Sequence, residues 1–483
     1  MSSHEQIRLF FGLVMGLSCA IVVYIRKRSR QAGAAYAPLI SPLNLLLMLF
    51  LFVNLGFLMG FEEEILGFFT QLVLQIGIYY AALLLFLPLL RKIIRPSTVA
   101  ILWLLPNDLY ITIYAYMRPN KPGLILPVSA RFIRWAFPAW GLGFLGFMGW
   151  AVIRHLLYRK KLLRDAVPVD APEILTVWEQ EESALGFKNV QLPLVYSAAT
   201  ATPLSIGIWQ TTTQVVLPER DYTPEELRLI FRHELIHIRH RDAATKLFLT
   251  FCQASCWFNP LMWIAMRKCA DDLELSCDEL ALTDADSQAR ETYARLVLRT
   301  AGDERGFTTC LSVRAKSLRY RLRGIVSERK KLAGGLLAGL LTSALILSSG
   351  YVAFAFTPSS GEDVIFQGHS ATFEPAFIYS VPDPKWYPNQ ETFYRCTDSG
   401  ALTAYLADLT LYRTTDFYDP DEANCLYLSL VRGNQTMSIT LYDHLLTVQE
   451  LISPQAGRKE MFYFPEKLDR AYLDTLLELE PEE

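Results

Sequence analysis

Charge is scarce in this sequence, and neither sign predominates over the chain as a whole. Only 20% of the 483 residues are charged, and the formal net charge is −3. Proteins that bind nucleic acid directly concentrate Lys and Arg in a patch or stripe. No large patch of that kind is evident, so we expect no direct nucleic-acid binding. The sequence also has no internal repeat and no low-complexity stretch, which argues against a repeat array.

A secretory signal is missing as well. The first five residues lack a positively charged start, and no small-residue cleavage site follows them. We therefore expect the first apolar run to be retained as a membrane span. Hydrophobic residues make up 52% of the chain and are bunched in its first third and in a run after Lys331, whereas the tail is polar. This distribution predicts an integral membrane protein with two soluble parts.

Five apolar runs in the N-terminal membrane domain, residues 1–156, have the length of transmembrane helices. They are 7–25, 43–60, 68–90, 99–117 and 135–153. Clusters of Arg and Lys follow the first, third and fifth runs, and such clusters mark the cytoplasmic side of a membrane protein.

The fourth run is the doubtful one. Pro106, Asn107 and Asp108 interrupt it, and a carboxylate near the bilayer centre is costly. If the run crosses, the strong basic clusters all lie on one side of the membrane and Glu62–Glu64 on the other. We therefore expect it to cross, with a re-entrant or interfacial helix as the alternative.

The remaining chain divides into three parts. Residues 157–331 are long enough for a cytoplasmic domain with its own core. Residues 332–356 are predicted to form a last transmembrane helix, which leaves 357–483 as an extracytoplasmic C-terminal domain. Within that tail, two β-rich segments around Gly433 and Asn434 predict a hairpin.

The middle domain contains the sequence His233-Glu234-Leu235-Ile236-His237, which reads H-E-x-x-H. Residues four apart share one face of a helix, so His233 and His237 can bind a single metal ion. Glu234 lies beside the first ligand, where it can take a proton from a metal-bound water molecule. This is the signature of zinc metallopeptidases, but the bare pattern also occurs by chance.

The context of the motif is helical. Thr223 is suited to the N-cap, Pro224 to the first helical position, and Glu226 completes a capping box with Thr223. Apolar residues at helical spacing continue past His237 without a helix breaker. The two histidines are therefore predicted to lie on one helix. Ahead of it, 190–196, 204–209 and 213–217 predict a small sheet.

A zinc site needs a third protein ligand, and a second acidic helix can supply it. The candidate is Glu274, with Asp278 four residues later on the same helix face. Asp278 could then accept the ring N–H of a ligand histidine. A solvated acidic face explains the same residues equally well, so their pattern alone leaves both readings open.

Several motifs together resemble one family. HELIHIRHRD, FNPLMW and DLELSCDE follow one another in this order, after TPLSIGIW and VVLP. The combination, over roughly 170 to 285 and the membrane layout around it, resembles the BlaR/MecR-type antirepressor metallopeptidases. The resemblance implies one Zn²⁺ per chain with His233, His237 and Glu274 as ligands, Glu234 as the catalytic base, Asp278 bonded to a ligand histidine, and Asp242 as a structural residue that closes the helix.

The same resemblance implies a fold and a function. The expected fold is an α-helical multi-span membrane protein with a cytoplasmic α+β, gluzincin-like zinc metallopeptidase domain and a small α+β or β-rich extracytoplasmic domain. Such a metalloendopeptidase would cut itself or a cytoplasmic repressor of the BlaI/MecI type when an outer signal arrives. The alternatives are a quality-control peptidase for membrane proteins and a non-enzymatic receptor that retains the peptidase fold.

The C-terminal domain departs from the β-lactam-sensing members. Their outer domain resembles a penicillin-binding protein, which needs Ser-x-x-Lys, Ser-x-Asn and Lys-Thr-Gly. Residues 357–483 contain none of these motifs and are few for such a domain. We therefore expect the signal not to be a β-lactam, and the outer ligand stays unknown.

Smaller features leave alternatives open. Cys396 and Cys425 are either a disulfide or two thiols, and the cysteines of the middle domain are expected to be buried thiols. His240 is off the register for joint ligation with His233 and is expected to be a surface or capping residue. Tyr293, Arg295 and His240 are candidate donors to the oxyanion of peptide hydrolysis. The GxxxG of Gly335 and Gly339 fits either ordinary packing or a homodimer face.

Overall fold

Long apolar helices dominate the N-terminal part of the computed structural model. It describes residues 3–28, 62–106, 123–187, 192–283, 285–299, 315–326, 331–349, 351–381, 391–413, 425–433, 435–451 and 460–479. The first helices are α1 (Ser3–Arg28), α2 (Glu62–Ile93), the short α3 (Pro96–Leu102) and α4 (Ala130–Leu163). Three segments within them are long and apolar enough to cross a membrane: Glu5–Tyr24, Thr70–Ile93 and Pro138–Leu163. The prediction of a membrane protein is supported, whereas the predicted span 43–60 lies outside the described residues.

The peptidase region alternates helices with a small sheet. Its helices are α5 (Pro172–Ala184), α6 (Pro224–His240), α7 (Asp242–Ser255), α8 (Pro260–Ala281), α9 (Ser287–Arg299) and α10 (Ala315–Val326). Its strands are β2 (Val167–Pro168), β3 (Leu194–Tyr196), β4 (Leu204–Ile206) and β5 (Gln214–Leu217), after β1 (Leu124–Val128) in the membrane region. The sheet order is β2-β3-β5-β4, with β3 and β5 parallel. Its inner face and α6 share a core that includes Phe231, Val215 and Tyr293.

The last apolar helix differs from the predicted span 332–356. Helix α11 covers only Gly335–Leu347, and Val352–Phe356 form strand β6. The alternation of aromatic and small residues in Val352–Phe356 suits a strand, and β6 pairs in parallel with β1. A helix of this length rises about 20 Å, less than the ~30 Å of a bilayer core.

Helices α1 and α11 pack closely because small residues face one another. A Cβ built on Gly339 would lie 2.6 Å from the carbonyl oxygen of Gly16, and one built on Gly335 would lie 3.2 Å from that of Ala20. The helices run antiparallel, since Gly12 contacts Leu347 near the other end. The predicted GxxxG thus serves helix packing within the chain, as small residues do in membrane helices.

The helices have two distinct ends. At one end, which we call the basic end, Lys331 donates to the carbonyl oxygen of Arg91 and Leu332 bridges to Ile94. At the opposite end, Gly123 donates to the carbonyl oxygen of Tyr351, next to the β1–β6 ribbon. The peptidase sheet lies at the basic end of α4, and the C-terminal strands follow β6 at the opposite end.

The predicted fourth span is described only at its beginning. Helix α3 ends at Leu102, and the hydroxyl of Tyr80 donates to the carbonyl oxygen of Trp103, so the chain runs back along α2. Residues 107–122 lie outside the described part. The chain is at the basic end at Ile94 and at the opposite end at Gly123, which is compatible with a crossing. The crossing of 99–117 stays a prediction.

The C-terminal region is β-rich, as expected. Its strands are β7 (Ser359–Ser360), β8 (Glu374–Val381), β9 (Thr392–Cys396), β10 (Thr410–Arg413), β11 (Cys425–Arg432), β12 (Gln435–Leu441), β13 (Leu445–Leu451), β14 (Glu460–Tyr463) and β15 (Leu477–Leu479), with short helices α12 (Gly361–Val364), α13 (Ser399–Asp408) and α14 (Arg470–Leu476). The nine strands form one sheet in the order β15-β9-β8-β11-β12-β13-β14-β10-β7. The predicted hairpin is confirmed, because β11 and β12 pair antiparallel up to Arg432 and Gln435.

Cys396 and Cys425 are free thiols in the structure, the second of the two alternatives that the sequence left open. Strand β8 lies between the two cysteines, and Cys425 pairs with Val381 at one end of it. The register of β9 places Cys396 five residues away along β8, opposite Ala376. That separation is about 17 Å along the strand, whereas a disulfide needs Cα atoms within about 7 Å.

Candidate metal centre

Helix α6 forms as its sequence predicts. The backbone N–H of Glu226 donates to the hydroxyl of Thr223, and the Glu226 carboxylate accepts from the backbone N–H of Thr223. The helix ends at His240, where Arg241 adopts a left-handed conformation with φ 55°. This αL residue turns the chain sharply, so that Asp242, the first residue of α7, lies beside His237 one turn back.

The three predicted ligands meet in the interior. His233 and His237 of α6 are fully buried, and Glu274 of α8 is nearly so. The two Nε2 atoms are 3.0 Å apart, and each lies 3.7 Å from Oε2 of Glu274. A tetrahedral zinc ion with bonds near 2.05 Å separates its ligand atoms by about 3.3 Å. The three atoms therefore have the spacing of one face of such a site.

Hydrogen bonds fix the tautomers of both histidines. Nδ1 of His237 lies 2.5 Å from a carboxylate oxygen of Asp242, which can only accept. The hydroxyl of Tyr293 donates to Asp278 at 2.6 Å, so it accepts from Nδ1 of His233 at 2.8 Å. Each Nδ1 thus carries the proton, and each Nε2 presents a lone pair to the other. Two lone pairs at 3.0 Å repel unless a cation lies between them, so the donor set fits a metal ion.

The predicted supporting residues occupy different places. Asp242 contacts His237, consistent with a structural role. Burial alone would raise the pKa of the Asp242 carboxyl, but the hydrogen bond with His237 lowers this pKa below its usual value. Asp278 supports the other histidine mainly through Tyr293, because its Oδ1 is 3.4 Å from Nδ1 of His233. The candidate oxyanion donor Tyr293 is therefore already engaged in holding His233.

Two cations flank the acidic ligand. Nζ of Lys246 lies 3.5 Å from Oε1 of Glu274, and a guanidinium nitrogen of Arg321 lies 3.4 Å from Oε2. Burial disfavours the charged form of the Glu274 carboxyl, but the two neighbouring cations, Lys246 and Arg321, favour it. Glu274 is therefore ionised, as a metal ligand must be, and its Oε2 has no hydrogen-bond partner among the described residues.

Arg321 is a site residue that the sequence did not reveal. It lies on α10, is fully buried, and donates to both carboxylate oxygens of Asp278 at 2.7 and 2.6 Å. Burial alone would lower the pKa of the Arg321 guanidinium, but the neighbouring Asp278 raises this pKa above its usual value. In the sequence it belongs to a basic stretch before the last apolar run, where such residues are read as membrane flanks.

Two further expectations have clear outcomes. His240 was expected to be a surface or capping residue; it is the last residue of α6, buried near Cys277, so it is not at the surface. Arg295 is exposed and pairs with Glu291, which leaves it outside the cluster.

Among the described cysteines of the middle domain, Cys252, Cys256, Cys269 and Cys277 are buried, as expected, whereas Cys310 lies outside the described residues. Glu234 is fully buried next to His233.

The sequence comparisons point to one peptidase family. Residues 130–325 match the family described as BlaR1 peptidase M56. Among curated proteins, the regulatory protein BlaR1 of Bacillus licheniformis is 23% identical over 187 residues, which is 38% of this chain and 30% of the relative. The methicillin resistance mecR1 protein of Staphylococcus aureus is 24% identical over 121 residues, 24% of this chain and 20% of the relative.

The shared region coincides with the cluster of histidines and carboxylates. The chain spans less than a third of the length of these curated relatives, so the likeness concerns the peptidase part. The segment matched to the family begins at α4 and ends within α10, and it includes His233, His237, Glu274 and Arg321. Residues 130–325 thus resemble the BlaR1-type M56 peptidases, in a chain whose described residues include three helices long and apolar enough to cross a membrane.

Proposed function

We propose that this chain is a membrane-bound zinc metalloendopeptidase of the signal-transducing type. The observation that carries the proposal is that the Nε2 atoms of His233 and His237 lie 3.0 Å apart and each lies 3.7 Å from Oε2 of Glu274. One Zn²⁺ held by His233, His237 and Glu274 would leave a fourth position for water, as catalytic zinc sites require. A zinc ion bound there supplies Lewis acidity and lowers the pKa of water to about 7.

The residues around that position perform the remaining steps. Glu234, next to His233, takes the proton of the attacking water and transfers it to the leaving amine. Asp242 and Tyr293 hold the two histidines in the tautomer that keeps Nε2 unprotonated. Glu234 thus handles the proton, while the other two residues orient the ligands.

The sheet next to α6 offers a place for an extended substrate. Strand β4 is at one edge of the four-stranded sheet and contacts α6, but its residues are buried, so a substrate could pair with it only if that edge becomes accessible. An extended peptide can add to a sheet edge through its main chain. This arrangement favours cleavage of flexible, unfolded segments, either of the chain itself or of a cytoplasmic repressor of the BlaI/MecI type.

We further propose the orientation that signalling needs. The three candidate metal ligands, His233, His237 and Glu274, which we call the metal cluster, lie at the basic end of the helices, and the C-terminal sheet lies at the opposite end. Basic flanks favour the cytoplasmic side of a membrane. The peptidase domain would then be cytoplasmic, and residues 357–483 would receive an extracytoplasmic signal. Because the penicillin-binding motifs are absent from the tail, that signal is not a β-lactam.

The test compares three forms of the full chain in cells: wild type, Glu234→Gln and Glu225→Gln. Glu225 is on the same helix but exposed, so Glu225→Gln is the matched control. Wild type and control should show self-cleavage and loss of a repressor encoded beside the gene, whereas Glu234→Gln should show neither. Equal behaviour of all three would refute the peptidase. Cleavage of misfolded membrane proteins without loss of a repressor would favour quality control instead.

A further inference from the structure

Helices α7 and α8 form a hairpin that lies among the membrane helices instead of in the aqueous domain. The indole of Trp140 in α4 donates to the carbonyl oxygen of Ser255 at 2.7 Å, and the rings of Phe144 and Phe251 are 5.6 Å apart. On the other side, Cys256 contacts the carbonyl oxygen of Val73 in α2 at 3.8 Å. The tip of the hairpin is therefore held between two helices whose length and composition suit a membrane.

The depth of the tip can be measured along two helices. Asn259 at the tip is next to Gly77 of α2, and Asp272 of α8 pairs with Arg91 near the basic end. From Gly77 to Arg91 a helix rises about 21 Å, and from Asn259 to Asp272 it rises about 20 Å. The two values agree, so the tip lies more than halfway through a hydrocarbon core of ~30 Å.

The composition of the hairpin suits that depth. Residues 247–266 contain no Asp, Glu, Lys or Arg. The hydroxyls of Thr250 and Ser255 donate to carbonyl oxygens one turn back, at 2.8 and 3.0 Å. The indole of Trp263 donates to the carbonyl oxygen of Trp257. Polar groups that are satisfied inside the segment need no water, which is the condition for protein at membrane depth.

One face of the hairpin is buried and the other is apolar but uncovered. The buried face packs on α2 in a single core, which includes Leu72, Ile76, Phe248 and Met262. The outer face exposes large apolar side chains: Trp257, Phe258, Leu261, Trp263 and Ile264. This face continues onto the exposed Leu142, Leu145 and Trp150 of α4, and Phe147 of α4 stacks edge-on against Trp263 at 5.3 Å.

We propose that the α7–α8 hairpin is a re-entrant element of the bilayer, and that acyl chains cover its outer face. The apolar face is continuous with a helix that has the properties of a membrane span, which makes lipid the fitting occupant. Because Glu274 follows the hairpin at the basic end, the metal cluster lies at the membrane surface. A substrate would reach it along the bilayer instead of from bulk water.

Lipid photolabelling of the wild type tests the contact directly. The full chain is reconstituted in phosphatidylethanolamine and phosphatidylglycerol vesicles that contain a phospholipid with a diazirine in its acyl chain. After irradiation and digestion, peptides covering 257–264 should be labelled like those of α4, and on the order of tenfold more than those of the exposed helix α5. Labelling no higher than that of α5, or cross-links from 257–264 to a second copy of the chain, would overturn the proposal.

Thiol accessibility provides an independent readout. Phe258→Cys is compared with Arg220→Cys, whose site is exposed in the peptidase region, in open membrane fragments. A charged maleimide should modify the thiol at position 258 on the order of tenfold more slowly than the thiol at position 220, because a charged reagent is excluded from hydrocarbon. Denaturation in detergent should abolish the difference. Equal rates before denaturation would refute the membrane location.

Discussion

Replacement of Arg321 tests the ionic support beneath the metal cluster. Arg321 is fully buried, and its two hydrogen bonds to Asp278 are charge-assisted and short. When one partner of a buried ion pair is removed, the other charge is left uncompensated at a cost of about 3 to 5 kcal/mol. For a domain of 150–250 residues each kcal/mol moves Tm by ~2 to 4 °C, so Arg321→Met should lower Tm by about 6 to 20 °C.

The assay is thermal unfolding of the purified full chain in detergent, followed by circular dichroism. Arg323→Met is the matched control, because Arg323 is on the same helix and exposed. Surface substitutions usually change stability by less than about 0.5 kcal/mol, so the control should unfold like the wild type.

A double variant separates charge from packing. Arg321→Met combined with Asp278→Asn removes both charges, so it should recover part of the stability that the Arg321→Met variant loses. If the double variant loses the sum of the two single losses, the residues are not coupled and the reasoning is refuted. Equal Tm values for Arg321→Met and Arg323→Met would refute it as well.

Three further predictions concern the cluster and the helices. Tyr293→Phe removes the hydroxyl between His233 and Asp278 and should weaken zinc binding about 10- to 100-fold in a chelator competition; unchanged affinity would contradict the relay. Thr223→Ala should lower the free energy of unfolding by about 1 kcal/mol, because it removes the N-cap of α6. Gly339→Leu should reduce the yield of folded protein in size-exclusion chromatography, because its Cβ meets α1, whereas Gly141→Leu, which meets nothing within 4 Å, should not.

Local features of the metal site were predictable from sequence. The H-E-x-x-H spacing and the capping box of Thr223 and Glu226 depend on residues within one helix, where geometry follows from sequence separation alone. Glu274 could be assigned as a ligand only through the family resemblance, since a solvated acidic helix face explains the same carboxylates. Tyr293 and Arg321 lie on α9 and α10, and their contacts with Asp278 depend on how three helices pack, which no periodicity reveals.

Two other results show where sequence reasoning misleads. Compartment and number left a Cys396–Cys425 disulfide open as one of two alternatives, and only the strand order, which places β8 between the two cysteines, decides between them. The uncharged segment 247–266 lies within residues 157–331, which were predicted to form a cytoplasmic domain, and Asn259 and Pro260 divide it into two short arms. Each arm is too short to span a bilayer alone, so a search for full-length spans would not find the re-entrant hairpin that we propose.

Side-chain contacts connect the residue before α11 and helix α10 to α8, the helix that carries Glu274. Just before α11, Lys331 bonds to the backbone of Arg91, and Arg91 pairs with Asp272 on α8. On α10, Tyr320 donates to that same Asp272, and the next residue, Arg321, bonds to Asp278. A shift of α11 along its axis would therefore strain contacts on both sides of Glu274. Because Asp272, Asp278 and Arg321 are buried and charged, we expect such a shift to favour two discrete arrangements over a gradual one.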